Sequence, residues 1–357
     1  MRPPIRVGLL GYGYAGRTFH APLIAAEPGL ALVAVGSRDP AKVHADLADV
    51  VVADPLVVAT SPQVDLVVVA TPNDTHAPLA TAALRAGKHV VVDKPFTLDL
   101  AEARALVALA ERQDRLLSVF HNRRWDSDYL SIARAIADGV VGDVAHFESH
   151  VDRFRPEVRA RWREGAGAGS GVWFDLGPHL VDQTLRLFGL PERVTATLAR
   201  QRPGALADDW AHVVFDCRSE NGGARRVILH AAMLVAGGSP RFVVHGTRAS
   251  LVKHSPDRQE AQLLAGMPPG GAGWGTDPDP IVVHAPDGTR STIPAIPGDQ
   301  RRYYRAIAAA LAGAGVNPVP PGQALAVMAV VEAAVRSARA GAAVAIDLTD
   351  AERRAAT

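Results

Sequence analysis

Two short stretches hold side chains able to move a proton. In Val92-Asp93-Lys94-Pro95 an ammonium stands at the end of an apolar run. Pro95 fixes its own backbone and restricts the residue before it, so Lys94 leaves the chain with little choice of aim. In Asp175-Leu176-Gly177-Pro178-His179 a carboxylate stands four residues ahead of an imidazole, which on a helix puts both on one face. With Asp175 as N-cap, His179 falls in the first full turn, where Pro178 has no intrahelical N–H partner to lose. The positive end of a helix pushes an imidazole toward its neutral form, the form a general base requires. Each stretch also has a plain structural reading: a lysine paired with Asp93, and a capping Asp ahead of a packed histidine.

A third stretch favours chemistry over packing. Gly11-Tyr12-Gly13-Tyr14-Ala15-Gly16 fits G-x-G-x-x-G, ends an apolar run and opens a helical one, the context a dinucleotide loop needs. Gly11 permits the tight turn, Gly13 lets a pyrophosphate approach the backbone, and Gly16 lets helix and strand pack closely. The helix N-terminus then offers oriented N–H groups to the phosphates. At the end of the second apolar run, where an NAD-specific site places an acid, the chain reads Ser37-Arg38-Asp39. Ser37 can donate to a 2′-phosphate, and Arg38 can pair with it and stack on adenine, which predicts NADP ahead of NAD. The alternative is a solvated Arg38 beside an Asp39 that caps the next helix. The third run ends in Thr71-Pro72-Asn73-Asp74-Thr75-His76, and polar groups there line the cofactor crevice. Thr71 and Asn73 suit ribose or nicotinamide contacts, while His76 reads as the opening of the next helix. With such a cofactor, His179 is the candidate base for a hydroxyl proton. Lys94 would stabilise the developing alkoxide, and Asp175 would orient the hydroxyls or the lysine.

The elements that position these groups follow from periodicity. Ile5–Leu10, Leu30–Val35, Asp65–Thr71, His89–Asp93 and Leu116–Phe120 read as strands, separated by helical stretches such as Pro78–Ala86 and Leu100–Arg112. Continuous apolar strands alternating with helices predict a parallel sheet covered on both faces. Beyond residue 121 the pattern changes. Trp125–Asp138 reads as a helix, Asp143–Phe154 as a long strand and Phe174–Phe188 as a helix. Val194–Arg200, His212–Phe215, Arg226–Met233 and Phe242–His245 then follow as strands with no helix between them, which predicts an open, mostly antiparallel sheet. Met267–Asp279 reads as loop, and helices at Tyr303–Leu311 and Gln323–Ala340 close the chain. The expected architecture is α/β: a dinucleotide-binding Rossmann domain over 1–121, then an α+β substrate-binding and oligomerisation domain over 122–357. Substrate is expected at their interface.

Composition removes several classes of function. Lys plus Arg is 38 against 37 for Asp plus Glu, a net charge of +1, so no basic excess points to nucleic acid. Cys217 is the single cysteine, which rules out an intrachain disulfide or a cysteine-built zinc site and suits a reducing compartment. No Cys, His and Glu cluster has metal-ligand spacing, so no metal is expected. The first residues run straight into Ile5–Leu10, and a cytoplasmic protein is expected. An open sheet covered by helices on one face predicts a homodimer or homotetramer formed through the other.

The glycine loop, the Asp-Lys-Pro strand ending and the D-x-G-x-H helix resemble the glucose–fructose oxidoreductase / inositol dehydrogenase (Gfo/Idh/MocA) family over nearly the whole chain. That family usually shows Glu-Lys-Pro, and Asp93 is one methylene shorter. The resemblance implies Lys94, Asp175 and His179 as the catalytic set. Val119–Asp128, His150–Pro156 and Thr71–His76 look like its NADP-dependent scyllo-inositol dehydrogenase branch, which implies interconversion of scyllo-inositol and its inosose. Asn122, Arg123, Trp125 and Asp126 follow the fifth strand, and Arg153 and Arg155 end the next long one, so any of them could bind polyol hydroxyls. Equally, Arg123 and Arg124 could pair with Asp126 and Asp128. Two other functions use the same features: reduction of a keto-sugar of the anhydrofructose type, and a regulatory protein that senses a dinucleotide without turnover.

Overall fold

A computed structural model describes residues 3–219 and 221–356. The chain forms two compact units. One comprises the chain up to Trp125 together with Gln259–Gly275 and Asp299–Leu325; the other comprises Asp126–Arg258, Thr276–Gly298 and the chain from Ala326 onward.

The first unit follows from its apolar runs. β1 (Ile5–Leu10), β2 (Leu30–Gly36), β3 (Val51–Ala53), β4 (Leu66–Val69), β5 (His89–Val92) and β6 (Leu117–Val119) form a parallel sheet in the order β3-β2-β1-β4-β5-β6. Every residue of β4 is buried, as expected of a central strand covered on both faces. The order reverses between β1 and β4, and ligands of such sheets sit at the carboxyl ends on either side of that point. The crossings are α1 (Ala21–Ala25), α2 (Pro40–His44), α3 (Pro55–Thr60), α4 (His76–Arg85) and α5 (Leu100–Gln113). Asp39, Asp54 and Asp99 accept backbone N–H groups at the starts of α2, α3 and α5, which satisfies donors a helix end leaves open. β3 has three residues and was not read from the sequence; its Val51 is 64 % exposed, so its apolar signal is weak.

The second unit opens with α6 (Ser127–Ala137), β7 (Val144–Asp152) and α7 (Val172–Phe188). Its remaining strands are β8 (Arg193–Ala199), β9 (Trp210–Arg218), β10 (Ala224–Ala232), β11 (Phe242–Gly246), β12 (Ser250–Lys253), β13 (Ile281–His284) and β14 (Arg290–Ile293). They form an eight-stranded sheet in the order β14-β13-β12-β11-β7-β10-β9-β8. Pairing is antiparallel except between β7 and β10, which run parallel. β9 shows why one face is core: Ala211, Val213, Phe215 and Cys217 are buried, and the alternate residues are half-exposed. α7 packs on this face, and its fully buried Trp173 donates its indole N–H to the Val331 carbonyl at 3.1 Å. That carbonyl belongs to α10 (Pro321–Ala340). α8 (Gln259–Leu264) and α9 (Arg301–Leu311) return to the first unit, and α11 (Asp350–Ala355) ends the second. No helix among the described residues is long and apolar enough to cross a membrane.

Candidate active site

The three glycines of the first loop have three different surroundings. Gly11 has φ +93°, and a Cβ there would lie 2.5 Å from the Ala70 carbonyl oxygen. A Cβ on Gly16 would collide with the Gly11 carbonyl oxygen. At Gly13 a Cβ would meet nothing within 4 Å. Gly11 and Gly16 are therefore glycines for the fold, whereas Gly13 leaves open space over the backbone, room that suits a pyrophosphate. The chain turns helical directly after it, with the Arg17 N–H on the Gly13 carbonyl at 3.0 Å and a π-helical turn over Gly16–His20 preceded by Ala15. The two tyrosines of the loop point to other partners. Tyr12 donates to Asp46 Oδ2 at 3.1 Å, and Tyr14 to Glu260 Oε1 at 2.6 Å. Burial, with Asp46 beside it, pushes the Tyr12 phenol up to about 12. Asp46 also takes both Arg17 nitrogens, at 2.7 and 2.9 Å.

At the end of β2, Asp39 accepts the Lys42 N–H at 3.0 Å and caps α2. The Ser37 hydroxyl oxygen accepts the Asp39 N–H at 3.1 Å. Arg38 is exposed, and the carboxylate beside it in the chain, Asp39, is turned to helix capping. After β4, Pro72 precedes a 3-10 turn over Asn73–Thr75, and Asn73 is buried. Thr75 donates to the Thr71 hydroxyl oxygen at 2.6 Å. His76 opens α4 and is a strut: Nδ1 lies 2.8 Å from the Pro95 carbonyl oxygen and Nε2 3.0 Å from that of Thr71. It joins the carboxyl ends of β4 and β5, and burial pushes its imidazole pKa down.

Lys94 leaves the end of β5 through a cis Lys94–Pro95 peptide and is part-exposed. Asp93 directly precedes it at the strand end. Its Oδ1 accepts the backbone N–H of Lys94 at 2.8 Å, and the residue is 7 % exposed.

In the second unit α7 begins earlier than the sequence reading had it. Gly171 is the N-cap and supplies no side-chain bond, so Asp175 is not the N-cap. The capping carboxylate is Asp208, whose Oδ2 accepts the Trp173 N–H at 2.8 Å while its carbonyl accepts that of Val172 at 2.7 Å. Burial pushes the Asp208 carboxyl up to about 6. Asp175 sits in the first turn, with Arg163 Nε 3.5 Å from its Oδ1. Buried His179 lies one turn further on, and Pro178 is inside the helix. The helix-end argument for a neutral His179 therefore loses force, since that effect fades within the first turn. Asp175 and His179 do share a face, by their spacing on one continuous helix. Sequence reading missed Asp208 and Arg163; neither stands near the helix start in the chain.

The residues proposed for polyol binding divide by surroundings. Buried Asn122 donates to Gln300 Oε1 at 3.0 Å, and Arg123 pairs with Glu260 at 3.2 Å. Trp125 packs edge-on to Tyr303, with ring centres 5.9 Å apart. Asp126 is fully buried at the start of α6. Arg153 and Arg155 are part-exposed, and burial with Arg153, Arg159 and Arg161 nearby lowers the Arg155 pKa. Other partners are visible for Arg124 and Asp128. Arg124 bonds the Pro318 carbonyl and Gln323, and Asp128 pairs with Arg241 at 2.9 Å. No group of three or more His, Cys, Asp or Glu among the described residues could hold a metal ion.

The two-part fold is that of a known family. A family model described as the NAD-binding Rossmann fold of an oxidoreductase family matches residues 5–121, and one described as its C-terminal alpha/beta domain matches 133–346. The chain is 52 % identical over 343 residues to the uncharacterized oxidoreductase YdgJ of Escherichia coli, covering 95 % of this chain and 98 % of that protein. It is 36 % identical over 341 residues to the scyllo-inositol 2-dehydrogenase (NADP(+)) IolW of Bacillus subtilis, covering 94 % of each. A crystal structure of a protein described as an oxidoreductase from Klebsiella pneumoniae superimposes with a TM-score of 0.92 at 56 % identity, over 99 % of this chain and 98 % of that one.

Proposed function

We propose that this chain, which belongs to the Gfo/Idh/MocA oxidoreductase family, transfers a hydride between NADP(H) and a ring carbinol of a polyol or sugar, with scyllo-inositol and its inosose the first pair to test. The observation that carries the reading is the strand-end set of the first unit: open space over Gly13, an exposed Arg38, and Lys94 at the end of β5. Identity to an NADP-dependent scyllo-inositol dehydrogenase supports the choice of cofactor and substrate.

The first-loop backbone around Gly13 would hold the pyrophosphate, with Thr71 and Asn73 toward the ribose or nicotinamide. Ser37 and Arg38 would take a 2′-phosphate, since Arg38 offers a planar, permanently charged fork. The nicotinamide supplies the hydride acceptor. His179 takes the hydroxyl proton, Lys94 donates to the same oxygen as charge develops on it, and Asp175 orients the polyol hydroxyls. Asn122, Arg123, Arg153 and Arg155 are the candidates for binding the polyol's hydroxyls, and Asn122 and Arg123 also tie their own segment to Gln300 and Glu260. The same reading places the enzyme in the cytoplasm as a homodimer or homotetramer, and a monomeric mass by light scattering would remove the second part.

The test is absorbance at 340 nm with purified protein, NADP⁺ or NAD⁺, and a panel of inositols and aldoses. Turnover of scyllo-inositol with preference for NADP⁺ is the expected result. NADPH binding without turnover of any inositol would refute the polyol assignment.

A further inference from the structure

Behind Lys94 lies a buried polar chain that the hydride-transfer reading leaves unused. His20 closes the π-helical turn after the glycine loop and is fully buried. Its Nδ1 is 2.6 Å from the Tyr304 hydroxyl on α9, and its Nε2 is 3.8 Å from Asp93 Oδ2. Around it the wall is aromatic: Phe120 lies 4.2 Å from the imidazole, ring centre to ring centre, and 4.9 Å from Tyr303.

Burial pushes the Tyr304 phenol well above its ordinary range, so it keeps its proton and can donate it. If the phenol donates to Nδ1, the neutral imidazole carries its N–H on Nε2, the nitrogen 3.8 Å from Asp93. Burial alone would raise the Asp93 carboxyl, but His20, with Lys94 and His76, outweighs it and holds the group at about 2. The carboxylate is therefore an anion with one oxygen on the Lys94 backbone N–H and the other facing His20. Three polar groups in an aromatic wall are a costly way to fill space, and apolar residues of like volume often serve stability better.

We propose that Tyr304, His20 and Asp93 form a positioning relay for Lys94, coupling the turn that follows the glycine loop to the aim of the lysine. The proposal rests on the reading of Lys94 as the group that steadies the alkoxide. Removing the Tyr304 hydroxyl leaves Nδ1 without its partner, so the imidazole is no longer held in place against the carboxylate. The Asp93 side chain then shifts, and the lysine backbone with it.

The test uses the full chain and the variants Tyr304→Phe, His20→Leu, Asp93→Asn and Asp93→Glu. Tyr304→Phe is expected to keep its melting temperature within a few degrees and bind NADPH as before. Its kcat on the accepted polyol should fall about tenfold with KM little changed, the mark of an interaction made in the transition state. Combined with His20→Leu it should add almost nothing, because one relay is cut twice. Asp93→Asn should lose as much, and Asp93→Glu, which spans the 3.8 Å gap, should retain activity only while His20 is present. A second readout needs no turnover: the rate at which methyl acetimidate amidinates Lys94, read by peptide mass spectrometry. A change of threefold or more in Tyr304→Phe is expected even if no polyol proves to be a substrate, so failure of the polyol assignment stays separate from failure of the relay. A lysine rate and a kcat both equal to wild type, with only the melting temperature moved, would overturn the relay. Independent, multiplying losses for His20→Leu and Tyr304→Phe would do the same.

Discussion

Gly13→Ala and Gly16→Ala should separate cofactor binding from folding within one six-residue motif. At Gly13 the added methyl meets no protein atom within 4 Å. The fold then has nothing to resist it, and the loss of backbone freedom in the unfolded chain adds about 0.4–1 kcal/mol of stability. The same methyl fills the space over the loop that the pyrophosphate would enter. Losing one charge-assisted hydrogen bond from a backbone N–H costs about 1.5–3 kcal/mol, which weakens NADPH about ten- to a hundredfold. At Gly16 the methyl collides with the Gly11 carbonyl oxygen. Gly11 has little freedom to retreat, since its own N–H is bonded to the Gly36 carbonyl at 2.8 Å. Overpacking of this kind costs about 1–3 kcal/mol or more. Thermal unfolding and NADPH fluorescence titration on the two variants give the answer. Gly13→Ala that binds NADPH like wild type, or that melts as early as Gly16→Ala, would refute the assignment of Gly13 to the cofactor.

Three further outcomes follow from the structure. His179→Ala should lower turnover by about two orders of magnitude or more with NADPH affinity nearly intact; a matching loss of affinity would make it a structural residue of α7. Arg38→Ala should weaken NADPH about tenfold or more, the worth of a charge-assisted pair with a 2′-phosphate, and leave NADH almost unchanged. Equal losses would remove the specificity argument. Asp208 is held at about 6, above its ordinary value of 3.8, so the folded state takes up a proton before the unfolded chain does. Its contribution to stability is full below the unfolded value and is lost as pH rises through about 6. Urea unfolding should show wild type losing about 1–2 kcal/mol from this group between acid and neutral pH, after discounting for part exposure. Asp208→Asn keeps an acceptor for the Trp173 N–H and should show a flatter profile; an unchanged slope would sink the assignment.

The Rossmann sheet was legible because its strands are short apolar runs buried on both faces, and such runs need no partner to be recognised. β1 was read with its observed bounds, Ile5–Leu10. In the second unit β8 to β11 were read as strands in series with no helix between them, but β12, β13 and β14 have four residues each, too few to stand out from the loops around them. The parallel pairing of β7 with β10 sets Arg226 against His146, a register that no local pattern encodes. Local spacing also misassigned the start of α7, because Asp175 had the right type for a cap while the capping Asp208 lies 35 residues from Trp173. Return segments were hidden for the same reason. Gln259 Oε1 accepts the Gln300 N–H at 2.7 Å, and Gln300 in turn holds Asn122, a chain of amides whose members look like ordinary surface residues until the backbone brings them together.

At Ser37-Arg38-Asp39 the sequence offered two readings as rivals, and the geometry makes them complementary. A carboxylate at the end of β2 would discourage a 2′-phosphate by charge and compete for Arg38. Asp39 is the carboxylate next to Arg38, and its Oδ1 is committed to the Lys42 N–H of α2, where the positive end of the helix also favours the anion. Ser37 reinforces that commitment by accepting the Asp39 N–H. Capping therefore draws the negative charge into the helix and leaves the guanidinium exposed at the strand end. If this coupling holds, Asp39→Ala should cost about 0.5–2 kcal/mol of stability without improving NADPH affinity, because the carboxylate it removes was already turned away from the phosphate. A large gain in NADPH affinity would show that Asp39 opposes the phosphate in the native loop and would break the link between the cap and the cofactor preference.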